Sequence, residues 1–475
     1  MPETPVDVHD GSTPCEHDIG VHDPPGRETD RSIHPEPPSS CVQSRPDHPL
    51  RTGVATPVGA HDSSSRLWYV WPRLSAARPV SLPGVMSMTL HEAQLTLTAR
   101  QDGRTDIDRR YDSDRAFLRD PAPPRQDSTG TAVVDLFSSL GGLTYGALKG
   151  LEEANRPGHL RLAIDNDPAP LRVLGDTLND ARSIASVDLR SLLVPIAQRT
   201  TSAERDLFGG VPRGSALLLA GPPCQGHSAL NNHTRHDDPR NDLYLSIARV
   251  ARLIEPKAIV VENVQWVERD RRSAVALCAS ALEELGYEVT SRRLDLSRLG
   301  VPQTRIRHIL VATRHQAFRW NLPHITTRDV RWTIEDLLDH RGTSAFDLPS
   351  RPSPENQARI DWLFEHDAHD LPNRLRPPCH RSEHSYRSMY GRLRWYQPAQ
   401  TITSGFGSMG QGRYVHPLRR RTLTPHEAAR LQCLPDFVSL TTETRKTALS
   451  TMIGNAAPPL MATRIVEALI DQALI

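Results

Sequence analysis

The sequence predicts an α/β protein: an open, mostly parallel sheet with a smaller, irregular domain attached. Three observations predict it. From Thr131 onward, short apolar runs alternate with amphipathic stretches, as strand–helix–strand units do. Several runs end in an acid or pass directly into a glycine turn. The most distinctive residue groups follow these runs, where open parallel sheets bind their ligands.

TAVVDLF (131–137) is the first strand, SSLGG its turn, and 143–154 the helix that follows. LRLAID (160–165) is the second strand, SIASVD (183–188) the third, SALLLAG (215–221) the fourth and KAIVVEN (257–263) the fifth. Helical patterns at 242–254 and 272–285 separate the later strands. YEVTSRRLDL and RIRHILVAT read as an antiparallel pair that closes the sheet. Short Pro- and Arg-rich pieces fill about 316–421, and helical patterns return at 424–433 and 457–474. Three regions are therefore expected. Residues 1–128 form a disordered low-complexity extension, 129–315 form the sheet domain (completed by a C-terminal helix, 452–475), and 316–451 form the small domain.

Composition supports this division. Of 475 residues 37% are hydrophobic, 5% aromatic and 40 are proline, as when a disordered part dilutes a folded one. Stretches such as RSIHPEPPSS cannot bury enough apolar surface to offset chain entropy. An exception at 65–99 could be weakly ordered, and Met86 or Met88 could be the translation start. The net charge of +1 excludes a polycation, so any nucleic-acid surface must be local. Between Leu371 and Thr424 ten arginines stand against one acid, Glu383, with Tyr386, Tyr390, Trp395, Tyr396, Phe406 and Tyr414 interleaved. Arginine with aromatics suits phosphate contact and base stacking; the plain alternative is a solvated surface in an arginine-biased chain. No apolar run approaches the roughly 18 residues of a membrane helix, and the acidic, proline-rich start is unlike a secretory leader. The six cysteines show no paired spacing, so a reducing cytoplasm is expected. His366, His369, Cys379, His380 and His384 invite a metal reading, but exposed polar residues are the preferred one, and no metal is expected.

GPPCQGHS (221–228) directly follows the fourth strand. Two prolines stiffen the chain around Cys224, a frame that a buried structural cysteine does not need. Alone, Cys224 is better read as a core residue than as a nucleophile. Glu262 changes the balance: it ends the adjacent strand after four apolar residues, where an unpaired carboxylate would hold its proton more tightly, as a general acid should. A structural Glu262–Asn263 cap is the competing reading. The turn in DLFSSLGG lets the chain pass close to a ligand, and Asp165 ends the second strand where an acid commonly accepts ribose hydroxyls. These features alone would equally suit a nicotinamide dehydrogenase, although GxGxxG is absent.

The ordered set DLFSSLGG, AIDNDP, GPPCQGHS, ENV, QTRIR, LTPHEAARLQCLPD and GNAAPP resembles the DNA (cytosine-5) methyltransferase family, from Thr131 to the C-terminus. The resemblance implies a Rossmann-like S-adenosylmethionine-dependent sheet, with 129–315 as the catalytic and cofactor-binding domain and 316–451 as the target-recognition domain. It implies that Cys224 attacks cytosine carbon 6, Glu262 passes a proton to ring nitrogen 3, Asn263 holds their loop, and Arg305 and Arg307 anchor the adduct. For S-adenosylmethionine it implies Phe137, Leu140, Gly141, Asp165, Asn166, Asp188, Pro223 and Asn455. For duplex DNA it implies Gln225, Ser228, Gln303, Arg392, Arg394 and Arg413. Two positions depart from the family pattern: Ser139 where glycine is usual, and Ala457 where valine is commoner. A bacterial monomer is expected, with any cognate endonuclease acting independently. A transfer-RNA methyltransferase and a catalytically silent DNA-binding relative are the alternatives.

Overall fold

A computed structural model of the chain describes residues 106–214, 216–223, 243–269, 272–381 and 388–475, all within one compact unit. Five strands run parallel: β1 (Thr131–Leu136), β2 (Gly158–Asp165), β3 (Ile184–Ser186), β4 (Leu217–Ala220) and β5 (Ala258–Val264). β6 (Tyr287–Asp295) follows, then β7 (Gln303–Thr304) and β8 (Ile306–Arg314). β8 inserts antiparallel between β5 and β6, so the sheet order is β3-β2-β1-β4-β5-β8-β6. The expected closing pair is present, with its second strand on the inside.

Both faces of the sheet are covered. Along β1, Val133 enters one core while Ala132, Val134 and Leu136 enter the other; β4, β5 and β8 alternate in the same way. Burial on both faces is what makes such strands legible as unbroken apolar runs. The helices before β4 are α1 (Asp106–Arg119), α2 (Gly142–Glu153), α3 (Pro168–Leu178), α4 (Leu189–Leu192) and α5 (Ser202–Phe208). α6 (Leu243–Ile254) and α7 (Ala274–Glu284) flank β5 in sequence. Beyond β8 lie α8 (Val330–Ile334), α9 (Pro354–Glu365), β9 (Ala399–Gln400), α10 (Pro425–Leu431), α11 (Lys446–Asn455) and α12 (Pro459–Asp471). α2 and α12 pack closely through glycine: a Cβ on Gly146 would lie 2.0 Å from the Pro459 carbonyl oxygen, and one on Gly142 2.1 Å from that of Ala457. Thr463 Oγ1 donates to the Gly146 carbonyl at 3.0 Å across this seam. No helix among the described residues is long and apolar enough to cross a membrane.

Two expectations need correction. The first concerns the extension 1–128, of which only 106–128 is among the described residues: that part does not lack structure. α1 is a helix whose Phe117 and Leu118 enter the main core, and its fully buried Asp114 receives Arg464 Nη2 at 2.5 and 2.7 Å and Arg328 Nη1 at 2.5 Å. The two arginines lie more than 200 residues away in sequence, so no local pattern could announce the cluster. The second is the boundary of the small domain. Trp332, Phe346, Leu393, Ile402, Tyr414 and Leu431 belong to the main core, and a separate small cluster holds Ile360, Leu363, Leu371, Tyr390, Met409 and Val415. The apolar side chains of 316–451 are thus divided between two cores.

Removing Asp114 would leave two buried guanidinium groups without their shared carboxylate. Asp114→Ala should therefore cost about 3–5 kcal/mol in denaturant unfolding, whereas deletion of residues 1–85 should leave the unfolding midpoint within error.

Candidate active site

The turn after β1 is built from left-handed backbone. Phe137, Ser139 and Gly141 have φ of 58°, 49° and 92°, a region that only glycine enters without strain. The turn is held by β2: Ser138 N donates to the Ile164 carbonyl at 3.0 Å and Ser139 N to Asp165 Oδ2 at 2.8 Å. Asp167 N donates to Asp165 Oδ1 at 3.0 Å. These bonds use two of roughly four acceptor positions on a carboxylate, so half-buried Asp165 can accept from hydroxyl groups. Burial raises its proton affinity, opposed by the backbone donors of Asp167, Ser139 and Asn166. Asn166 is exposed beside it. Asp188 caps α4 and is gripped by Arg190, whose guanidinium holds its carboxyl below the usual range. Asn455 is exposed at the end of α11, and the Gly142–Ala457 approach sets its loop against the start of α2. Leu140 differs from expectation: its side chain lies wholly in the core, so only its backbone can face a ligand.

The second group gathers at the end of β5. Glu262 is ion-paired rather than alone, with its Oε1 2.8 Å from Arg307 Nε, and the two side chains are 12% and 14% exposed. That openness leaves the pair reachable by a ligand. The β5–β8 register brings them together, setting Val264 opposite Arg307. Asn263 is buried; its Nδ2 donates to the Pro222 carbonyl at 3.1 Å and its Oδ1 accepts from Val264 N at 2.7 Å. The proline loop is thereby fastened to β5 two residues before Cys224. Pro223 is half-buried at the end of that described stretch, while Cys224, Gln225 and Ser228 lie outside the described residues.

Arg305 stands apart from Arg307. The chain turns between β7 and β8, where Arg305 N donates to the Gln303 carbonyl, and the Arg305 side chain is buried. Its Nη1 reaches Gln432 Oε1 at 3.3 Å and the Ile402 carbonyl at 3.4 Å. Gln303 is wholly buried: Nε2 donates to the Leu431 carbonyl and Gln432 Oε1, and Oε1 accepts from Ile402 N. It cannot be the surface DNA contact that the resemblance implies. Arg392 bonds the Pro417 carbonyl and packs over Phe364, and Arg413 bonds the His369 carbonyl and Asp370. Of the three expected DNA-binding arginines only Arg394 is exposed. His366 stacks on Trp362, His369 faces backbone carbonyls and His380 meets Tyr390, so these three histidines make separate contacts; His384 lies outside the described residues.

The profile of the C-5 cytosine-specific DNA methylase family matches residues 131–471. The chain belongs to that family. It is 37% identical over 352 residues to the type II methyltransferase M1.BsuMI of Bacillus subtilis, covering 73% of this chain and 82% of that one. It is 31% identical to the type II methylase M.HgiDII of Herpetosiphon aurantiacus, over 69% of this chain and 91% of that one. The fold matches a crystal structure of a candidate DNA modification methyltransferase encoded within an E. coli prophage, with TM-score 0.51, 20% identity and coverage of 72% and 99%. The protein is therefore a DNA cytosine-5 methyltransferase on a mixed, largely parallel α/β sheet.

Within this methyltransferase, sequence reasoning assigned no role to Gln432 or Asp135. Gln432 sits in the quoted motif LTPHEAARLQCLPD, where its amide is the only signal. Asp135 of DLFSSLGG is fully buried; Thr144 Oγ1 donates to Oδ2 at 2.6 Å, and Oδ1 meets no donor among the described residues. Burial lifts its pKa to about 7 despite the hydroxyl.

Two outcomes follow for this methyltransferase. Ser139→Gly should relieve the left-handed strain and raise stability by about 1 kcal/mol, read as a higher thermal midpoint. Asp135 has its pKa raised in the folded state, so the stability it contributes is full at about pH 4 and is lost as pH rises through about 7. Denaturant titrations at pH 5, 6.5 and 8 should show this decline, and Asp135→Asn should flatten it.

Proposed function

We propose that the enzyme methylates carbon 5 of a cytosine flipped out of duplex DNA, through a transient bond between Cys224 and ring carbon 6. The half-open Glu262–Arg307 pair carries this reading. A stacked base hides carbon 6 from any side chain, so the target must leave the helix. The Cys224 thiolate would add to carbon 6, moving electron density onto carbon 5. Glu262 would supply a proton at ring nitrogen 3 as charge develops there, and Arg307 would hold that carboxyl and face the base carbonyl. Asn263, by fastening Pro222, would keep the loop carrying Cys224 in reach of Glu262. Loss of the carbon 5 proton, with release of Cys224, completes the turnover. Burial holds the Cys278 thiol up at about 12, and Cys433 is buried too, so neither can supply a thiolate at neutral pH.

The donor proposed is S-adenosylmethionine, which supplies an electrophilic methyl group when bound. The left-handed turn and the spare acceptor positions of Asp165 fit it. Phe137 and the backbone of Leu140 and Gly141 would pass along the ligand, Asp165 would take the ribose hydroxyls, Asn166 and Asp188 would lie toward the adenine, and Pro223 and Asn455 would close the site. Arg305 serves better as a positioning residue than as an anchor of the adduct, because it is buried and its Nη1 is bonded to the Ile402 carbonyl and Gln432. Base recognition is assigned to the segment 316–451, with its small cluster around Ile360 and Tyr390 and its exposed Arg394 and Tyr396. Relatives named as type II methyltransferases support a restriction-modification role. A monomer is proposed, with any cognate endonuclease acting independently.

Once bisulfite sequencing of DNA from expressing cells has identified the site, duplex carrying 5-fluorocytosine there tests the mechanism. Fluorine cannot leave as a cation, so the Cys224 adduct should persist and survive boiling in detergent. It should be absent with Cys224→Ala and form much more slowly with Glu262→Gln. A preparation that methylates the site yet leaves no trapped complex would refute the addition step.

A further inference from the structure

A second cluster lies away from the residues assigned to catalysis. His340, Asp347 and His426 each offer a ligand atom, and these atoms lie within 4.8 Å of one another. His340 Nε2 is 2.9 Å and His426 Nδ1 3.1 Å from the same oxygen, Asp347 Oδ1. Two ligands about 2.1 Å from a tetrahedral metal lie roughly 3.4 Å apart, so small side-chain rotations would admit an ion.

The surroundings are those of a built site. His426 is fixed: it stacks on Phe346 at 4.6 Å and its backbone N donates to the Phe346 carbonyl. Its other ring nitrogen, Nε2, faces Asp436 Oδ1 at 3.0 Å, the carboxylate support that metal-bound histidines commonly carry. Ser344 Oγ donates to Asp347 Oδ2 at 2.7 Å and orients that carboxylate. His340 is the exposed member, and its ring already faces Asp347. All three line a cavity of roughly 250 Å³, which leaves a fourth position for water. Two nearby arginines are balanced by carboxylates: Arg421 is bidentate with Glu427, and Arg430 with Asp436. Arg341 and Arg419 are bonded to the Leu338 carbonyl and keep their charge.

We propose that His340, Asp347 and His426 bind a divalent transition metal of the zinc class, tying the 339–347 loop to α10. Two imidazoles with one carboxylate suit such borderline ions and not magnesium or calcium. The site lies outside the assigned chemistry, so it is tested on binding and stability rather than turnover.

The full chain is stripped with a chelator, equilibrated with zinc chloride and gel-filtered, and its metal content is measured by atomic emission beside thermal unfolding. Wild-type protein should keep one equivalent of zinc more than His340→Ala and should gain thermal stability on zinc addition that His340→Ala does not. His340→Gln, closer in size, should behave like the alanine variant. Asp436→Asn should weaken binding by about tenfold or more. Cobalt added to stripped wild type should develop visible absorption bands that the His340 variants lack. Equal zinc retention by wild type and both His340 variants, or none by any of them, would overturn the site.

Discussion

One buried amide links the separate pieces of this enzyme. Gln432 Nε2 donates to the carbonyls of Ile453 and Ala456 at 3.0 and 2.9 Å, beside Asn455, while its Oε1 accepts from Gln303 and Arg305. Gln303 in turn fastens the segment that carries Ile402. A single side chain therefore joins the strand leading to Arg307, the loop bearing Asn455 and the turn after α10. Both polar atoms of the Gln432 amide are paired, as a buried amide requires. Removing any one amide would leave the others with unmade bonds in the interior. The ion cluster at Asp114 does a similar task at the other side of α12, where Arg464 and Arg328 meet a helix from far upstream.

The sheet explains why distant motifs end up as neighbours. Parallel strands point the same way, so whatever follows β1, β2, β3, β4 and β5 must gather along one edge. Backbone bonds then refine the placement: Gly221 N meets the Leu136 carbonyl and Val187 N meets that of Asp165. Asn263 adds a side-chain tether from β5 to Pro222. The glycine seam between α2 and α12 brings the chain's last loop to the same edge. Each contact depends on the strand order, and each would be impossible with a register shifted by one residue.

Legibility in the sequence followed the range of the forces involved. Strands covered on both faces were readable because their signal is local and repeated, and the motif order exposed Glu262, Asn263 and Asp165 in adjacent places. What escaped was decided by partners far along the chain. α1 carries few apolar residues, and its helix depends on a buried ion cluster closed by Arg328 and Arg464. Arg392 and Arg413 look like surface cations by composition, yet each is engaged by carbonyls of the folded chain. Gln303 follows a proline in a polar motif, which resembles a loop, and only the tertiary fold shows it fully enclosed. An arginine count measures the supply of positive charge; how much remains free for phosphate is settled only by folding.

The fate of the two arginines in QTRIR shows how the same residue type is given two tasks. With a continuous strand, Arg305 and Arg307 would project from one face, two residues apart. The break between β7 and β8 turns Arg305 inward to Gln432 and leaves Arg307 beside Glu262. One guanidinium is thereby held for architecture and the other stays partly open to an incoming group. Under the proposed mechanism this asymmetry is useful. A carboxylate paired with a fixed, fully buried arginine would be locked in its charged state, whereas a pair that solvent still reaches can exchange partners when a base arrives. The buried arginine keeps the break in shape, and the break keeps the open arginine at Glu262.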